Sequence, residues 1–171
     1  ALQRIGHALN ATLDLDELLS LVLREAVGAS KALCGQVWLD EPGVGLRVAA
    51  RYRALGTPPA APRLVVQAAR ANQAAVLADV KTDPQYVPMD RLARSAIAMP
   101  VMRGGAAIGV LQLESALSGA FAHGVDEPLH ELIEHAAVAI NNARLFGLLE
   151  RQLGESALSV EVARTVNASH N

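Results

Sequence analysis

The sequence predicts an α+β domain: an antiparallel sheet with N- and C-terminal helices on one face and a short helix plus a loop over the other. Three observations carry this expectation. The segment RSAIAMPVMRGGAAIGVLQLES, Arg94 to Ser115, holds two apolar runs separated by Gly104-Gly105. Two adjacent glycines supply the positive φ values of a two-residue hairpin turn. Apolar residues recur at helical spacing at both ends of the chain, and short extended runs with Pro/Gly breakers lie between them.

Taken in order, Leu2, Ile5, Leu9 and Thr12 predict a first amphipathic helix. A second helix is expected from a cap at Thr12 or Asp14, with Glu17 three residues after Asp14. It continues through Leu18, Leu19, Val22, Leu23 and Val27 and ends at Gly28. Strands follow at 34–40 and 46–53, joined by Glu41-Pro42-Gly43-Val44-Gly45. Residues 57–62 form a Pro-rich breaker, 63–72 suit a helix, and Ala75 to Leu77 suit a short strand. Asp79 to Arg91 contains Pro84 and Pro88 and no periodicity, which reads as an irregular loop.

With the hairpin turn at Gly104-Gly105, Ile97, Met99 and Val101 are expected to face Gln112, Val110 and Ile108 on one bulky side. Ala96, Ala98 and Pro100 then share the other side with Gly109, Leu111 and Leu113. The smaller side is expected to take the terminal helices, and the bulky side to look into a second core or a cavity. The last helix should run from about Asp126 past Gly154 to near Val166, roughly 60 Å at 1.5 Å per residue. Leu129, Ile133, Ala136, Ile140 and Ala143 form its main seam, while Leu132, Ala139, Phe146, Leu149 and Leu153 form a second stripe. One sheet face cannot bury both, so a parallel homodimer through the terminal helices is expected.

At 171 residues, 51% hydrophobic and 19% charged, the chain is long and apolar enough for one folded domain with a proper core. A net charge of −2 advertises no nucleic-acid surface, and the thirteen Arg beside two Lys read as base composition of the gene. No apolar stretch approaches the ~20 residues of a membrane span. A single cysteine, Cys34, excludes an internal disulfide framework, and a cytoplasmic setting is expected.

Arg94-Ser95, Ile97, Pro100-Val101, Ile108-Gly109-Val110-Leu111, Phe121, Asp126 and the run Ala136-Ala137-x-Ala139-Ile140-x-Asn142-Ala143-x-Leu145 together resemble the C-terminal half of a GAF domain. LNATLDLDELLSLVLREAV resembles that family's opening helices, and Val80-x-x-Asp83-Pro84-x-Tyr86 its variable loop. The likeness spans about residues 2 to 150. It implies a GAF/PAS-like sheet of five to six antiparallel strands and a sensory or relay role in a bacterial regulator, such as a histidine kinase, diguanylate cyclase or transcriptional regulator. Cyclic-nucleotide-binding members carry Asn-Lys after the fifth strand; here Ser115-Ala116 stands there, although Phe121 and Asp126-Glu127 match. Bilin-binding members attach their chromophore through a cysteine, and His123 has no cysteine neighbour. Members that reduce free methionine sulfoxide use several cysteines, whereas this chain has Cys34 alone. Haem-binding members need an axial histidine, for which His123 is the candidate.

His130 and His135 are five apart, about 140° around a helix, so they do not share a zinc-binding face as a four-residue spacing would. No catalytic set, metal site or cofactor is expected. Trp38, Tyr86, Met99 and Val110 are the bulky residues expected around a small-molecule site, with Arg94 and Gln112 as polar handles. Trp38 and Tyr86 weigh most, because only five residues are aromatic. The alternative is a ligand-free dimerisation and relay module in which these side chains fill a second core. The domain is expected over 1–153. Residues 154–171 read as a helical linker leading into a second GAF repeat, because Val162–Asn171 aligns with Ile5–Asp14.

Overall fold

The computed structural model describes residues 2–56, 58 and 60–168, and side chains from 15 to 155 among them. Helix α1 (Leu2–Ser30) leads into strands β1 (Cys34–Glu41) and β2 (Gly45–Tyr52), then helix α2 (Arg63–Ala71) and strand β3 (Ala75–Leu77). A 3₁₀ turn at Val80–Thr82 precedes strands β4 (Ser95–Arg103) and β5 (Ala106–Ser115), and α3 (Glu127–Ala168) closes the chain. The five strands form one antiparallel sheet in the order β2-β1-β5-β4-β3.

The expected two N-terminal helices are one. Between Asn10 and Asp16 there is neither Gly nor Pro, so nothing compels the helix to break at the Thr12 or Asp14 signal. It ends two residues beyond Gly28, where Lys31 takes a left-handed φ of 55°. The long C-terminal helix forms as expected, over 42 residues. Asp126 caps it by accepting the Leu129 N–H at 3.0 Å. The side chains behind the resemblance of Val162–Asn171 to Ile5–Asp14 lie outside the described residues.

Both terminal helices pack on one sheet face. Leu19, Leu23 and Val27 of α1 and Leu129, Ile133 and Ile140 of α3 meet Val37, Ile97, Met99, Val101, Leu111 and Leu113. The opposite face holds a smaller core, in which Leu64, Val65 and Ala68 of α2 meet Trp38, Ala96, Ala98 and Val110 beneath the 79–91 loop. The expected hairpin register is corrected by one residue. Gly104 and Gly105 do form the turn, at φ 59° and 78°. Val101 nevertheless pairs with Gly109 and Met102 with Ala107, so Ile108 is an extra residue in β5. This bulge turns every later pairing to Met99↔Leu111 and Ile97↔Leu113. The bulky residues of both strands therefore face the terminal helices, and the Ala-rich side of β4 faces α2.

Gly109 does sit where α3 crosses the sheet. A β-carbon there would stand 3.7 Å from Ile140 Cδ1 and, more seriously, 2.6 Å from the Trp38 carbonyl oxygen. Arg144 fastens the same helix to the strands by donating to the Asp40 carbonyl.

Candidate functional site

Strand alternation places Cys34, Gln36 and Trp38 of β1 beside Val110, Gln112 and Glu114 of β5 on the α2 face. Polar residues on an otherwise apolar buried face must find partners or remain costly. Glu114 is fully buried, and its carboxylate accepts from Tyr86 Oη at 2.7 Å and from the backbone N–H groups of Met89 (2.8 Å) and Asp90 (3.1 Å). The Cys34 thiol also donates to it, at 3.4 Å. Tyr86 Oη accepts from Gln112 Nε2 at 2.9 Å, and Gln112 Oε1 accepts the Trp38 indole N–H at 3.0 Å.

The polarity of this chain is determined by its ends. A carboxylate can only accept and an indole can only donate, so the Gln112 amide has one workable orientation between them. Burial pushes the Glu114 carboxyl above its ordinary range, although the hydrogen bonds from Met89, Tyr86, Asp90 and Cys34 pull the other way. Burial, followed by the adjacent Glu114 charge, raises both the Cys34 thiol and the Tyr86 phenol, so each keeps its proton.

Against this network lies a cavity of about 430 Å³. Its floor is Gln36 and Gln112, and its walls are Leu55, Gly56, Pro58 and 60–63 on one side and Gln85 and 87–89 on the other. The two walls are joined where Leu55 N donates to the Met89 carbonyl at 3.1 Å. Gln36 is 1% exposed, yet neither end of its amide has a hydrogen-bond partner among the described residues. The Arg63 guanidinium is the charged group of the lining and lies on an exposed residue at the rim.

The residues expected at a site are thus only partly brought together. Gln112 lines the cavity, while Trp38, Tyr86 and Val110 stand behind or beside it in the smaller core. Met99 is a correction: it is buried among the terminal-helix contacts on the opposite face, because the extra residue at Ile108 puts Val110 and Gln112 of β5 on the α2 side, away from it. Arg94 is also displaced from the cavity, since it immediately precedes β4 and reaches Asp79 at 3.6 Å. Gln36, Cys34 and Glu114 were not anticipated. Their signal was available, because each is a polar or thiol residue at an alternate position of an apolar strand, Gln36 and Glu114 two residues from Trp38 and Gln112, and Cys34 two from Gln36.

Among the described residues, no group of three or more His, Cys, Asp or Glu could hold a metal ion, and no helix is long and apolar enough to cross a membrane. His130 lies on the exposed face of α3, 3.7 Å from Glu134.

The sequence profile of the GAF domain family matches residues 12–141. No curated protein matches the chain. Among solved structures, the type II free methionine-R-sulfoxide reductase of Thermoplasma acidophilum is similar at a TM-score of 0.66 and 17% identity, covering 77% of this chain and 95% of that one. The GAF domain of a phosphoenolpyruvate-protein phosphotransferase from Coxiella burnetii gives a TM-score of 0.63 at 17% identity, covering 85% and 96%. The PixJ GAF domain of Thermosynechococcus elongatus, in its blue-light absorbing form, gives 0.55 at 15% identity, covering 86% and 95%. At these identities the likeness establishes the fold.

Proposed function

This chain belongs to the GAF domain family, and from that premise we propose that it is the cytoplasmic sensory module of a larger bacterial signalling protein. It binds a small molecule in the cavity over Gln36 and Gln112 and relays occupancy through α3. The observation that carries this reading is the unpartnered Gln36 amide at the floor of a largely apolar cavity. A volume of about 430 Å³ falls in the usual range for ligand sites, roughly 300–1,000 Å³. Signalling GAF domains among the structural neighbours support the regulatory role.

The module is non-catalytic in this reading. Cys34 is buried, keeps its proton and donates to Glu114, which is the opposite of what a reactive thiolate needs. The second reading, a ligand-free relay, is favoured by the way Trp38, Tyr86 and Val110 fill the interior behind the cavity. In both readings the module dimerises, since Val138, Leu145, Phe146, Leu149 and Leu153 of α3 are exposed on the chain.

Native mass spectrometry of the purified protein, beside an Ala61→Trp variant that fills the cavity, separates the two. A small-molecule adduct on the wild type that the variant lacks is the expected result. Adduct-free spectra for both proteins would favour the relay.

A further inference from the structure

We propose that the molecule read by this cavity is neutral and presents an amide edge, an N–H beside a C=O, as in a lactam or a primary carboxamide. The proposal rests on the cavity being the sensory site and adds the chemistry that the site selects. Gln36 and Gln112 are cross-strand neighbours on one sheet face. Their amides differ in one respect. Gln112 is held between Trp38 and Tyr86, so its orientation is determined. Gln36 is 1% exposed and has no partner at either Oε1 or Nε2 among the described residues. A primary amide offers two donors and an acceptor side by side. The group that satisfies both ends of it at once is another amide, in the paired geometry of two N–H···O bonds.

The rest of the lining narrows the class. Leu55, Ala61, Pro62, Val87 and Met89 are apolar and would cover the body of such a molecule. No carboxylate belongs to the described lining, so a cationic ligand finds no counter-charge there. An anion could meet Arg63, but that residue is exposed at the rim, and a carboxylate placed there leaves the Gln36 acceptor unsatisfied. A hydrocarbon would fill the apolar walls and leave both ends of Gln36 orphaned, which binding sites penalise strongly.

Four probes of similar size test this by calorimetric titration: benzamide, 2-piperidone, benzoate and toluene. The two amides are expected to bind the wild-type protein at least about tenfold tighter than benzoate or toluene. Gln36→Leu should erase that preference, leave toluene binding intact and melt no lower than wild type. Ala61→Trp should weaken the amides and toluene alike. Should Gln36→Leu fail to fold, the side-chain amide resonances of Gln36 in the wild-type protein replace it, and benzamide must shift them. Benzoate or toluene binding as tightly as the amides, an amide preference that survives in Gln36→Leu, or unshifted Gln36 resonances would overturn the proposal while leaving the cavity as a site. Absence of binding by all four probes at millimolar concentration would overturn both the proposal and the sensory reading of the cavity.

Discussion

Glu114 is a buried carboxylate with no cationic partner among the described residues, held instead by Tyr86, Cys34 and two backbone N–H groups. Replacing it by Gln leaves one acceptor oxygen and sets an NH₂ among the Met89 and Asp90 N–H groups, which can only donate. Glu114→Gln should therefore cost about 1–3 kcal/mol at neutral pH, measured by urea denaturation. The pH dependence has a definite sign. Because burial raises the folded-state pKa above the ordinary 4.5, the stability contribution of Glu114 is fully present below 4.5 and is lost as pH rises through the raised value. The margin of wild type over Glu114→Gln should thus widen on acidification across that window; a margin that narrows would contradict the burial argument. Gln36 behaves oppositely to Glu114. Its amide is desolvated without return, so Gln36→Leu should stabilise the ligand-free protein by about 1 kcal/mol, visible as a higher urea midpoint with unchanged slope.

Strand β5 shows why the elements were legible and their faces were not. Runs of apolar residues, Gly104-Gly105 and the breakers at 57–62 located every strand to within a residue or two, and Asp126 marked the start of α3. A bulge leaves no comparable mark. Ile108 is as apolar as its neighbours, so nothing in AAIGVLQLES distinguishes the extra residue from a paired one, yet it moves Met99 and Val110 to opposite cores. The site suffered from a related difficulty. Trp38, Tyr86 and Gln112 were recognisable as large or polar residues, whereas the part of Gln36 depends on what lies opposite it across the sheet. Gly109 was assigned to the helix face and lies there, but the closer obstacle is a backbone carbonyl that periodicity cannot reveal. A carbonyl cannot change rotamer to make room. Gly109→Ala should therefore already destabilise, and Gly109→Leu should cost about 1–3 kcal/mol or more; a thermal melt matching wild type would show that β1 and β5 can separate locally without penalty.

Over the whole molecule, the dominant asymmetry is length. The compact body spans the sheet and its two cores, whereas α3 alone measures about 63 Å at 1.5 Å per residue. Its inner face is buried through Ile140, and from Leu145 to Leu153 the large apolar side chains are uncovered, with Phe146 at 40% and Leu149 at 55% exposure. A second copy of the chain is the cover we propose. Sedimentation velocity should show a dimer for the wild type and a monomer for the Phe146→Glu/Leu149→Glu double variant, with the circular dichroism of the body preserved. Equal sedimentation of the two would remove the dimer from the proposed relay.

Glu114 also has a consequence for how the surface is exposed to enzymes. Its side chain ties down Tyr86, Met89 and Asp90, while its own carbonyl accepts Leu33 N at 2.7 Å just after α1. The segment it secures carries Lys81 and Arg91, both on the outside. Cutting by trypsin needs several residues of free, extended backbone, which a segment anchored from beneath does not readily offer. In Glu114→Ala the same two bonds should become the first to be cleaved, giving fragments that end at Lys81 and Arg91 while the helices and the central strands stay whole. A single buried carboxylate would then determine where this protein is first digested.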